Sequence, residues 1–161
     1  MAKSANPKLA QLTPEQLLSD AELTFDGRLT YAALILFGNR ATLTRWLANA
    51  EVIFEYRSNE ASIAHQQREE FREGLILQYD KLWNLVNLRN DLQHYQDGLF
   101  VWDIPTFNER VVRETLLNAI CHRDYRAPGS VFVRQFPQKL EIVPRQQNLW
   151  VFSGSGSLPS V

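Results

Sequence analysis

The apolar residues of this chain change period along its length, and that change restricts the fold more than any other feature. Over 68–88, Phe71, Leu75, Tyr79, Leu82 and Val86 recur at three- and four-residue spacing, which places them on one face of a long amphipathic helix. Over 130–136 and 139–143 the spacing falls to two. Val131 and Val133, then Leu140 and Ile142, alternate inward as two strands joined by a turn at Pro137. A chain with both periods must lay helices against a sheet, an α+β fold.

Further elements are marked by their boundary residues. Thr13-Pro14-Glu15-Gln16 predicts a capping box with proline at the first helical position, opening a short helix through Leu17 and Leu18. Asp26-Gly27 breaks the chain, Thr30 caps a second helix over 31–37 that reads as buried nearly all round, and Gly38 stops it. The β-branched and aromatic content of 50–57 reads as a strand. Asp97-Gly98, between 92–96 and 99–103, predicts a hairpin. Thr106-Phe107-Asn108-Glu109 reads as a second capping box opening a helix to about His122. The expected architecture is a two-layer sandwich in which helices 68–88 and 106–122 pack on a mostly antiparallel sheet from 50–57, 92–103 and 130–143. Residues 1–144 form one domain. Residues 145–161 form a flexible tail, because 153–157 has serine-glycine linker composition.

Composition excludes several classes. Seventeen Lys+Arg against 18 Asp+Glu leave a formal charge of −1, so the chain has no global positive field to draw in a phosphate backbone. A local patch from Arg110, Arg113, Arg123, Arg126 and Arg134 competes with the commoner reading of arginines that solvate a helix face. Cys121 is the single cysteine, so no intrachain disulfide forms, and MAKSANPKLAQL lacks the apolar core of a secretory signal. A cytoplasmic protein is expected. No apolar run approaches the roughly 20 residues that span a bilayer, so no membrane role is expected. His65, His94 and His122 lie too far apart for a zinc motif. Cys121, beside Ile120, reads as a small buried hydrophobe. The charge run 68–73 reads as the solvated face of the long helix. Trp83 reads as packing or partner contact, because base-stacking platforms need basic neighbours on an exposed sheet.

The residues that could carry chemistry lie over 106–125. Glu114, Asn118 and His122 are spaced four apart and line one face, while Val112, Leu116, Ala119 and Ile120 fall largely on another. A carboxylate and an amide in register offer two hard oxygen atoms of the type magnesium prefers, or the carboxylate could orient a water. A solvated stripe fits the same spacing. His122-Arg123-Asp124 is not a kinase loop, because Gly129 stands where that loop needs asparagine and no D-F-G follows.

The string Glu114-Thr115-Leu116-Leu117-Asn118-Ala119-Ile120-Cys121-His122-Arg123-Asp124-Tyr125 resembles the E-x-x-x-N-A-x-x-H-R-D-Y stretch of a divergent GHKL-type ATP-binding domain. That domain occurs in bacterial transcriptional regulators and RecG-related ATP-dependent DNA helicases. The segment from Leu29 to Gly38 is similar to the family's L-T-x-A-x-L-L-L-F-G, and Gly129-Ser130 with Lys139-Leu140-Glu141-Ile142 to its following hairpin, so the likeness covers roughly 17–144. The resemblance implies an N-box helix, with Asn118 as magnesium ligand in an ATP site and Glu114 as the catalytic residue that polarises water. For His122, Arg123, Asp124 and Tyr125 it leaves open a structural cluster or a nucleotide contact. The chain departs from the family after the hairpin, where Pro144-Arg145-Gln146-Gln147 replaces phosphate-cradling glycines. About 28 residues stand before Leu29, where the family has an AlbA-like, Schlafen-type DNA-binding domain. The expectation is a middle fragment contributing half of a nucleotide site, with DNA reached through another domain and homo-oligomerisation left open. A non-catalytic interaction module that has lost nucleotide is the alternative. No G-x-x-x-x-G-K-[ST] loop supports the helicase label.

Overall fold

A computed structural model describes residues 11–61, 64–144 and 150–153. Helix α1 (Pro14–Asp20) carries the expected capping box: Thr13 accepts from the Gln16 backbone, and the Gln16 side chain accepts from Thr13 N–H. A two-stranded ribbon follows, β1 (Thr24–Phe25) and β2 (Arg28–Leu29), with Asp26 and Gly27 both at positive φ in its turn. Helix α2 (Tyr31–Phe37) is capped by Thr30 and ends at Gly38. Helix α3 (Arg40–Trp46) is capped by Asn39.

The main sheet has five strands in the order β4-β3-β7-β8-β9. They are β3 (Val52–Tyr56), β4 (Gln67–Phe71), β7 (Val131–Phe136), β8 (Lys139–Pro144) and β9 (Trp150–Ser153). Three of the four pairings are antiparallel, and β3 with β7 is parallel, Phe54 standing opposite Val133. Helices α4 (Leu75–Asn87) and α5 (Glu109–Cys121) pack on one face. There Val52, Phe54, Val131, Val133, Leu140 and Ile142 meet Leu75, Tyr79, Leu82 and Val86 of α4, and Val112, Leu116, Ala119 and Ile120 of α5. The α+β sandwich follows from these two faces becoming dry together.

Several expectations are corrected. The periodic segment 68–88 is not one helix: Gln67–Phe71 pairs with β3, and only from Leu75 does the helix run. The charge run is therefore an edge strand, its Arg68 reaching Glu55 across the ladder. The hairpin β5 (Leu92–Asp97) and β6 (Phe100–Pro105) forms around Gly98 at φ +60°, but as a separate two-stranded sheet outside the main one. Helix α2 is not buried all round. Ala33 alone is fully buried, because only one side meets α4 while Tyr31 and Phe37 face solvent. The cap of α5 is Asn108 rather than Thr106: its side chain accepts from Arg110 and Val111 N–H, whereas the Thr106 hydroxyl donates to Asp91 O. Within the expected tail, Trp150–Ser153 form β9, while 145–149 and 154–161 lie outside the described residues.

Buried polar groups fix how the layers sit. Gln135, fully buried on β7, donates to Val86 O at 2.9 Å and to Arg89 O at 3.1 Å, tying the sheet to the C-terminal end of α4. On the opposite sheet face the buried Glu55 meets Arg57 at 2.9 Å, Arg68 at 2.8 Å and Arg134 at 3.5 Å. Arg68 and Arg134 are its register partners on β4 and β7, so one carboxylate joins three strands. Burial alone would raise its pKa, but the Arg57 hydrogen bond and the surrounding guanidinium charges hold it below the ordinary carboxylate range. Glu51 is held low in the same way, burial being outweighed by Arg72 and Ser130.

Because both folded-state values are depressed, their stabilisation is present above the ordinary carboxylate range and disappears as pH falls through the folded values. Acid titration of unfolding free energy is expected to show this loss. Glu55→Gln is expected to cost about 3 kcal/mol at neutral pH and to flatten the acid limb, since it removes the buried charge on which three guanidinium groups converge. Gly74, just before α4, donates to Gly38 O at 2.6 Å, and a Cβ there would stand 2.5 Å from Leu36 O. Thermal denaturation of Gly74→Ala is expected to show a loss of about 2 kcal/mol, because backbone rather than a flexible side chain would have to move.

Candidate functional site

Helix α5 is held at its start by Asn90, whose side chain donates to Phe107 O at 2.9 Å and accepts from Phe107 N at 2.8 Å. Phe107, fully buried, anchors the helix in the core. With Val112, Thr115, Leu116, Ala119 and Ile120 turned to the sheet, the 3.6-residue period carries Glu114 and Asn118 to solvent one turn apart. Glu114 accepts a 3.3 Å hydrogen bond from Arg110 in an exposed pair that water competes with. The face predicted for these two residues is the face they occupy.

The structure adds walls that sequence spacing did not reveal. A cleft of about 810 Å3 opens beside the N-terminal half of α5, lined by Trp83 and Asn87 of α4, Asn90 of the joint, and Arg110, Arg113 and Glu114 of α5. Asn118 lies outside that lining, one turn further along. Arg113 is braced over the Tyr79 ring at 4.7 Å and donates to Glu109 at 2.8 Å, so its guanidinium is held beside the cleft. An indole, amides, two guanidinium groups and a carboxylate on one opening can meet an aromatic base, hydroxyls and anionic oxygens. Trp83 carried the only sequence signal for this wall, an indole within an amphipathic segment, and the turn that joins it to α5 is visible only in the fold.

The segment after α5 is tied into the helix end. Arg123 is buried: it donates to Gly129 O, and its guanidinium lies 5.4 Å from the Tyr125 ring centre. Tyr125 O–H donates to Ile120 O at 2.9 Å, and burial pushes its pKa up to about 12, so it stays a donor at neutral pH. Asp124 accepts from Arg126 N–H at 2.9 Å in the following turn. These contacts close the end of α5 onto the approach to β7. Arg123 is thereby removed from any surface patch, and Arg110 and Arg126 stand at opposite ends of the helix. Cys121, expected to be buried, is exposed on α5, because Ile120 takes the core position beside it. Among the described residues no three His, Cys, Asp or Glu side chains gather as a metal cluster, and no helix is long and apolar enough to cross a membrane.

No protein-family model matches the chain, and no curated protein matches it. Among solved structures it is similar to the DIP2311 protein from Corynebacterium diphtheriae, with TM-score 0.68 and 22% identity over 85% of this chain and 27% of that one. The two share the fold. This chain spans about a quarter of that protein.

Exposure separates the two groups of residues experimentally. Asn118→Ala and Glu114→Ala are expected to leave unfolding free energy within about 0.5 kcal/mol of the parent. Tyr125→Phe, which leaves the Ile120 carbonyl without its donor, is expected to cost about 1 kcal/mol. Denaturant unfolding of the three variants side by side checks both expectations.

Proposed function

We propose that this chain supplies half of a magnesium-ATP site, with Glu114 and Asn118 as its polar face on α5. The observation that supports the reading is the position of Glu114 on the rim of the cleft that also presents Trp83, Asn87, Arg110 and Arg113. These residues fit the group. An amide and a carboxylate one turn apart offer hard oxygen donors to a cation that takes its remaining ligands from phosphates and water, and the arginines suit anionic oxygens. The exposed Arg110 pair on Glu114 costs little to break.

In this role Asn118 would hold the cation through Oδ1, and Glu114 would orient or accept a proton from water at the phosphate. Bound nucleotide would supply the leaving phosphate and its charge. Trp83 would stack on the base while Arg113, fixed by Tyr79 and Glu109, would meet phosphate without having to be ordered first. In the larger protein, such a site would serve an ATP-dependent, DNA-associated transcriptional regulator of the helicase-related kind. DNA would be met by a domain outside this chain, whose own formal charge is −1.

A second reading, a non-catalytic interaction or coupling module, draws on a different observation. The hairpin β5–β6 exposes Leu92, Tyr95, Leu99, Phe100, Val101, Trp102 and Ile104, far more apolar surface than a free ribbon of two strands tolerates.

Isothermal titration of magnesium-ATP separates the readings. The 161-residue chain is expected to bind in the millimolar range or not at all, because its described residues supply only one side of the site. A longer protein containing it is expected to bind at least tenfold more tightly and to lose that gain with Asn118→Ala. No binding by the longer protein, or binding indifferent to Asn118, would refute the nucleotide reading.

A further inference from the structure

We infer that this chain associates head to tail with a second copy of itself, the β5–β6 hairpin of one copy entering the apolar groove between the β1–β2 ribbon, α2 and α3 of the next. The inference gives the interaction-module reading a partner and does not depend on nucleotide binding.

The hairpin supplies the inserting surface. Antiparallel register sets Tyr95 opposite Trp102 on one face, with Phe100 and Ile104 two positions to either side. Tyr95, Phe100 and Trp102 are each at least 58% exposed, and Leu99 at the tip is 98% exposed. Large aromatics concentrated on one face of a projecting ribbon are the composition of an interface core. The stretch 91–105 also contains Asp91, Asp97 and Asp103 and neither lysine nor arginine; Asp103 lies on the face opposite the aromatics, 2.6 Å from His94, and the net negative charge makes the ribbon a poor match for nucleic acid and a better one for a cationic protein surface.

The receiving surface lies on the same chain. A groove of about 790 Å3 is lined by Phe25, Leu29, Tyr31, Leu34 and Trp46, with Arg28 the one charged residue among the described lining. Phe25, Tyr31 and Trp46 remain 60–74% exposed, and the Arg45 guanidinium lies over the Trp46 ring at 5.0 Å. Aromatic meets aromatic, and the net negative charge of the ribbon meets arginines, which favours this pairing over hairpin on hairpin or groove on groove, where like charges would face each other.

The two surfaces are kept apart within one copy. The groove's elements join α4 at the residue before its start, through the bond from Gly74 N to Gly38 O, whereas the hairpin leaves just beyond its last turn. The 13 residues of α4 set these ends about 20 Å apart. A hairpin at one end and a groove at the other make a heterologous contact, which extends from copy to copy unless it closes into a ring.

Sedimentation equilibrium of the 161-residue chain is expected to show concentration-dependent association beyond a dimer. Trp102→Asp and Trp46→Asp, with Phe100→Asp and Phe25→Asp as second variants, change exposed residues. Each is expected to keep the parent's circular dichroism and melting while weakening association at least tenfold. An equimolar mixture of Trp102→Asp and Trp46→Asp is the deciding sample: one keeps its groove, the other its hairpin. A complex that stops at one to one is expected. A monomeric parent chain sinks the inference while leaving the interaction-module reading open to other partners. Association untouched by the groove variants points to hairpin-on-hairpin pairing or a different occupant and also overturns it, as does a mixture that stays monomeric.

Discussion

The parallel pairing of β3 with β7 is the contact on which the rest of the structure depends. It sets Val52 beside Val131 and Tyr56 beside Gln135, joining two parts of the chain that are far apart in sequence. Everything between them, β4, α4, the hairpin and α5, is the connection that a parallel pair requires. Gln135 can reach Val86 O and Arg89 O at the end of α4 only because β7 lies in this register, and Glu55 can collect Arg134 only for the same reason. A one-residue slip would turn Val131 and Val133 away from α5 and bring charged neighbours into the core.

Local structure was largely legible in the sequence, because capping and turn chemistry act within a few residues. Thr13, Thr30 and Gly98 occupy the positions their chemistry predicts. Errors arose where distant contacts decided between local alternatives. Phe71 stands four residues before Leu75 and so continues the helical period by coincidence. The polar Gln-Arg-Glu-Glu run before it has little strand character of its own, and it becomes a strand because Glu55 on β3 offers Arg68 a buried partner. The hairpin was evident from Asp97-Gly98, but no residue within it states that the ribbon stands apart from the main sheet. At the start of α5, Thr106 and Asn108 are both good caps, and the choice falls to Asn108 because Asp91 O engages the threonine hydroxyl.

The candidate site divides along the same line. The solvent-facing positions of Glu114 and Asn118 follow from the period of one helix, and spacing alone was enough to place them. The cleft beside them is made by α4, the turn at Asn90 and α5 together, and no sequence spacing betrays that Trp83 and Arg113 share its lining. The likeness to the DIP2311 protein extends to the fold, and at 22% identity the fold is what it conveys. Arg123 and Tyr125, in the string after Asn118, fasten the helix end through their backbone-carbonyl contacts.

The joint around Asn90 gives the hairpin a particular status. Thr106 donates from both backbone and hydroxyl to Asp91 O, and Asn90 holds Phe107 on both sides of its peptide unit, so the ribbon leaves the body and returns to it at one point. A segment closed at its base in this way is mechanically an appendage: its length and surface can change while α4 and α5 stay in place. The domain thus consists of a packed frame and a projecting arm as mechanically separable parts.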